Sequence, residues 1–135
     1  MENIPPKQAY QILLEDPSAQ LIDVRTDAEW AFVGLPDLSE AGKQTVLIPW
    51  QNFPTMAVND TFLAQLQASG ANPGDPLLFI CRSGARSACA ALAAEAAGFG
   101  PTYNVSEGFE GPVDPHGHRG ALAGWKADRL PWRQR

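Results

Sequence analysis

Leu77-Leu78-Phe79-Ile80-Cys81-Arg82-Ser83-Gly84-Ala85-Arg86-Ser87 is the stretch on which the reading of this chain turns. Leu77 to Ile80 is short, continuous and apolar, as a strand covered on both faces must be. A small polar loop flanked by arginines follows, and then an alanine-rich segment from Ser87 to Ala97 with strong helix propensity. The pattern is strand, tight loop, helix, with Cys81 at the carboxyl end of the strand. Open α/β sheets place their ligand sites there, and successive loop amides with the positive end of the next helix make a cradle for an anion. Arg82 and Arg86 add full charges to those partial ones, so a reachable thiol in this place is expected to ionise and act as a nucleophile.

Outward from this stretch, strands alternate with helices. Pro6 to Glu15 carries Ala9, Ile12 and Leu13 at helical spacing behind a proline suited to a first turn, and Asp16-Pro17 stops it. Gln20 to Val24 reads as a strand, with Asp23 and Arg25 flanking its end. These two stand either beside the pocket or as a local hydrogen-bonded pair that fixes the following turn, and the second is favoured, because charged residues at strand ends usually hold loops. Thr26-Asp27-Ala28-Glu29 is a capping box that opens a helix ending at Gly34. Thr45 to Ile48 is a further strand, Asn59-Asp60 caps a helix bearing Phe62, Leu63 and Leu66, and Thr102 to Val105 is another strand. The alternation predicts an α/β fold, a mostly parallel central sheet flanked by helices on both faces.

After Val105 the chain is rich in glycine and irregular, and is expected to lie over one edge of the site, closed by Trp125 and Trp132 packing on the core. His116 and His118 lack the acidic or cysteine partners of a metal site, so no metal or other cofactor is expected. Cys89 either resolves a species formed on Cys81 or fills space against the sheet, and the structural role is favoured, as for most cysteines in helices.

The totals agree. A chain of 135 residues, 44% apolar and 19% charged, fits one domain spanning 1–135 with an ordinary globular core. The net charge of −5 gives no reason to expect nucleic acid, and Lys126, Arg129, Arg133 and Arg135 read as a solvated end. Two cysteines without a Cys/His framework point to a reducing, cytoplasmic setting, and no segment has the length and apolarity of a leader or a membrane span.

Cys81-Arg82-Ser83-Gly84-Ala85-Arg86-Ser87 resembles the active-site loop of the rhodanese-like sulfurtransferases, and Leu21-Ile22-Asp23-Val24-Arg25 resembles that family's first-strand signature. The helix start from Thr26 to Phe32 and the tail through Asn104-Val105, Gly108, Trp125 and Pro131-Trp132 extend the similarity over most of the chain. Gly34, Leu35 and Pro36 are kept from the family's next element, whose histidine is missing here. The resemblance implies the rhodanese arrangement of the sheet and a double displacement on Cys81. The thiolate would take the outer sulfur of a small anionic donor such as thiosulfate and pass it to cyanide or a thiol, a protein thiol among them. Arg82 and Arg86, with the amides from Arg82 through Ser83, Gly84 and Ala85 to Ser87, would bind the donor, supported by Asp23 and Arg25. Two other readings stand behind this one: a catalytically weak sulfur-carrier or regulatory module, and, further back, a cysteine phosphatase or arsenate reductase, whose cradles hold one more residue between cysteine and arginine.

Overall fold

The computed structural model describes residues 1–134. Arg135, the last of the basic residues near the C-terminus, lies outside them. The elements run β1 (Glu2–Ile4), α1 (Pro6–Glu15), β2 (Gln20–Asp23), α2 (Asp27–Val33), β3 (Leu35–Pro36), a 3-10 turn (Ser39–Ala41), β4 (Val46–Leu47), β5 (Gln51–Asn52), β6 (Ala57–Val58), α3 (Phe62–Ala68), β7 (Leu77–Ile80), α4 (Ala85–Ala96), β8 (Thr102–Val105) and β9 (Trp132–Arg133). Five strands form one sheet in the order β1-β8-β7-β2-β4, and every neighbouring pair is parallel. The expected α/β sheet is present. Two short antiparallel pairs, β3 with β9 and β5 with β6, stand apart from it.

Alternation along the central strands sorts the core onto two faces, because successive side chains of a strand point opposite ways. Leu78 and Ile80 of β7 join Leu21, Val105 and the α1 residues Ala9, Tyr10 and Leu13. Leu77 and Phe79 join Ile22, with Phe62 and Leu66 of α3 and Ala90, Ala91 and Ala94 of α4. Cys81 continues the second set, which brings its side chain to the face that α4 covers. The alanines of α4 give that helix little bulk between its axis and the strands.

Four local features differ from the expectations. Glu2–Ile4 forms an edge strand on β8, which the sequence did not announce because three residues with two polar ones carry no period. Helix α4 starts at Ala85 behind an N-cap at Gly84, so Arg86 and Ser87 lie in its first turn, not ahead of it. Helix α3 is capped at Thr61 with no side-chain cap; the carboxamide oxygen of Asn59 instead accepts from the amide and hydroxyl of Thr61 at 3.2 and 2.9 Å. Trp125 is fully buried, edge-on to Tyr10, whereas Trp132 stays 41% exposed, packed edge-on to Phe109 beneath Lys126. Only one of the two indoles anchors the tail in the core.

Candidate active site

Parallel pairing of β2, β4 and β7 puts the loops after them on one edge of the sheet. At that edge the Cys81 sulfur is held by two donors. The Gly84 amide and the Ser87 hydroxyl each lie 3.1 Å from Sγ. Both come from the turn into α4, whose first-turn amides have no acceptor within the helix. The carboxamide of Asn104, on β8, reaches the same turn: its Oδ1 lies 2.6 Å from Ser87 Oγ, and its Nδ2 donates to the Gly84 carbonyl at 3.2 Å and to Asn3 Oδ1 at 2.9 Å. The cysteine is 1% exposed. The open thiol expected from the sequence is therefore the floor of the loop, roofed by Arg82, Ser83 and Ala85, which are exposed.

The carbonyls of this loop are pinned from the other side. Phe109 donates its amide to the Cys81 carbonyl at 2.8 Å, and Glu110 and Gly111 donate to the Arg82 carbonyl at 3.0 and 3.2 Å. The glycine-rich segment after Val105 thus supports the Cys81 loop directly. Gly108 makes the approach close enough: with φ at 65°, a Cβ there would lie 2.6 Å from the carbonyls of both Cys81 and Arg82.

The arginines are spoken for. Arg86 makes a two-pronged pair with Glu29, NH1 to Oε1 at 2.6 Å and NH2 to Oε2 at 2.9 Å, a geometry that guanidinium and carboxylate favour. Burial alone would raise the Glu29 carboxyl, but the hydrogen bond and charge of Arg86 outweigh it and leave the group below the usual carboxylate range. Arg86 rises in turn, first through the Glu29 hydrogen bond, against the opposing effect of burial, with the charge of a Cys81 thiolate adding to it. Arg82 is half exposed and meets Glu110 at 3.2 Å through Nε. The sequence placed both cations toward a donor, and the structure gives each a carboxylate.

Asp23 and Arg25 form a fully buried pair, with Nε and NH2 of Arg25 on the carboxylate at 3.0 and 2.7 Å. NH2 also donates to the Gly34 carbonyl at 2.8 Å, which ties the turn ahead of α2 to that helix's C-cap. This is the local pair favoured from the sequence. The guanidinium also lies 4.3 Å from the ring centre of Phe109, so the pair braces the segment that pins Cys81. Cys89 is exposed on α4 and packs against no sheet, which corrects the structural reading of that thiol. Among the described residues no group of histidines, cysteines and carboxylates is placed to hold a metal, and no helix is long and apolar enough to cross a membrane.

Sequence reading missed Glu29 as the partner of Arg86, because its capping role accounted for it fully. Asn3 and Asn104 were also missed. Their one signal was a polar residue in mid-strand: Asn104 is 4% exposed within β8 and stands in register with Asn3.

Comparison with known proteins agrees with this architecture. The family model described as the STR4 middle domain matches residues 2–135. A crystal structure from M. tuberculosis is similar over 100% of this chain and 98% of its own, at 48% identity and a TM-score of 0.92. The solution structure of the polysulfide-sulfur transferase homodimer of Wolinella succinogenes aligns over 100% of this chain and 80% of its own, at 28% identity and a TM-score of 0.67. An uncharacterized protein of Rickettsia conorii is 35% identical over 98% of this chain and 97% of its own length. Other relatives and solved structures of the same fold bear the name rhodanese-like. With a parallel sheet that delivers one cysteine into an amide-lined turn and a family match along nearly its whole length, the chain is a member of the STR4 middle-domain family of rhodanese-like proteins.

Proposed function

We propose that the protein is a sulfurtransferase that carries a sulfane sulfur on Cys81, taking it from a donor such as thiosulfate and giving it to a nucleophilic acceptor. The observation that carries this reading is the pair of donors, Gly84 N–H and Ser87 O–H, converging on Sγ at the mouth of a helix. Such an arrangement favours a negatively charged sulfur, the amide being fixed in place and the hydroxyl needing only to rotate. In the first half-reaction the Cys81 thiolate attacks the outer sulfur of the donor. A new S–S bond forms, the donor's S–S bond breaks, and sulfite departs with the bonding electrons. In the second, cyanide or a thiolate attacks the outer sulfur of the persulfide, and Cys81 leaves as the thiolate it began as. Every leaving group is itself a stabilised sulfur anion, so no general acid is required.

Polysulfide transfer by the Wolinella succinogenes relative lends the reading support. The spacing of the loop supports it too: four residues stand between Cys81 and Arg86, a ring suited to one added sulfur more than to a tetrahedral phosphate.

A second reading, a slow sulfur-carrier or regulatory module, is favoured by one observation. The thiol is 1% exposed, and both arginines of the loop face carboxylates, which offset part of the charge they would offer a sulfonate. Intact mass after incubation with thiosulfate, and separately with inorganic polysulfide, decides between the two. The proposal expects one added sulfur on the wild type, none on Cys81→Ser, and discharge by cyanide at each turnover. Loading without repeated discharge selects the carrier, and no loading from either donor overturns the sulfurtransferase and leaves the regulatory module.

A further inference from the structure

Ser87 has one hydroxyl proton and two acceptors for it. Its Oγ is 3.1 Å from Cys81 Sγ and 2.6 Å from Asn104 Oδ1. The Asn104 amide cannot turn over to relieve the conflict. Its Nδ2 faces the Gly84 carbonyl, which only accepts, and Asn3 Oδ1 beside it. Turned over, Asn104 would set oxygen against the Gly84 carbonyl oxygen. Oδ1 is therefore held toward Ser87, and it can only accept.

With Cys81 a neutral thiol every group is satisfied: S–H donates to Ser87 Oγ, and Ser87 O–H donates to Asn104. With Cys81 a thiolate the hydroxyl must rotate toward sulfur, which leaves two oxygens facing each other at 2.6 Å with no proton between them. Asn104 is 4% exposed and Ser87 is fully buried, so bulk solvent does not relieve that contact.

We propose that Asn104 is a positioning residue that competes with Cys81 for the Ser87 proton and so restrains the thiolate. When sulfur is loaded the negative charge moves to the outer atom, Sγ no longer needs the hydroxyl, and the proton rotates back to Asn104. The proton never leaves Ser87. The same competition thus favours the loaded cysteine over the empty thiolate, and its anchor is the Asn3 carboxamide of the edge strand β1. This rests on Cys81 being the reactive nucleophile, but not on any particular sulfur donor.

The test is the rate of Cys81 alkylation by iodoacetamide across a pH series, with Cys89 replaced by alanine throughout. Releasing one buried hydrogen bond to a charged partner corresponds to a change of about tenfold in thiolate population. Asn104→Ala is expected to alkylate about tenfold faster than its parent at pH 6.5, and Asn3→Ala, on the exposed edge, faster by a smaller factor in the same direction. In a Ser87→Ala background both accelerations vanish, because no hydroxyl is left to compete for. An equal acceleration in that background shows instead that the loop has merely loosened, and overturns the proposal. So does an unchanged or slower rate in both single variants. Alkylation involves no sulfur donor, so these outcomes stand apart from whether the protein transfers sulfur.

Discussion

Replacing Gly108 by alanine adds a single methyl group at the point where the segment after Val105 meets the Cys81 loop. The backbone there has φ at 65°, where an L-residue costs about 1–2 kcal/mol. The new Cβ would lie 2.6 Å from the carbonyl carbon and oxygen of Arg82 and from the Cys81 oxygen. Carbonyls held by three amides cannot recede without stretching the bonds from Phe109, Glu110 and Gly111. Overpacking at such sites costs about 1–3 kcal/mol, so the whole penalty is about 2–5 kcal/mol. The stability of a domain this size is on the order of 10 kcal/mol, and its urea midpoint should fall by about 1–2 M. Gly74→Ala separates the two contributions. Gly74 also has a positive φ, of 96°, but a Cβ there meets nothing within 4 Å, so that variant bears the backbone cost alone. Urea unfolding followed by intrinsic fluorescence gives both midpoints, and alkylation of Cys81 reports the loop. Should Gly108→Ala unfold at the same urea concentration as Gly74→Ala, with its Cys81 reacting at the wild-type rate, the contact with the Cys81 loop would carry no constraint and the prediction would be refuted.

Glu29→Gln keeps the capping box, which glutamine also closes, but releases Arg86, so thiosulfate should bind more tightly, with a severalfold lower KM; an unchanged KM would mean that Arg86 does not face the donor. The same carboxylate gives stability a pH dependence: its folded value lies below its unfolded one, so its contribution is present above the ordinary carboxylate range and drains away as pH falls through the lowered value. Comparing urea midpoints of wild type and Glu29→Gln between pH 7 and pH 3 should show the gap closing toward acid, and a gap that widens would reverse the sign assigned here. Cys89→Ala should leave sulfur transfer nearly unchanged, because the side chain is exposed on α4 and not turned into the turn that holds Cys81; a large loss of turnover would make it a resolving thiol.

The sheet was legible in this sequence for a physical reason. Leu77 to Ile80 and Leu21 to Val24 must be covered on both faces, and a continuous apolar run states that need without reference to any partner. Capping was legible for the same kind of reason, since Thr26 and Glu29 satisfy each other within one turn. What stayed hidden was every relation whose two ends are far apart in the chain. Glu29 answers Arg86 across 57 positions and Asn3 answers Asn104 across 101, and neither pairing leaves a period or a spacing to read. The consequence for function is unequal. The local signals located Cys81, the nucleophile of the proposed function, while the distant ones set its surroundings: how far the arginines are neutralised, how deeply the sulfur lies, and which groups compete for the Ser87 proton. A loop motif of this kind therefore singles out the candidate sulfur, but the charge left free beside that atom is set by carboxylates outside the motif. Arg86 bound to Glu29 and Arg82 bound to Glu110 leave the thiol with little uncompensated positive charge from side chains. Whatever holds a negative sulfur here is then chiefly the Gly84 amide and the one hydroxyl that Asn104 also claims.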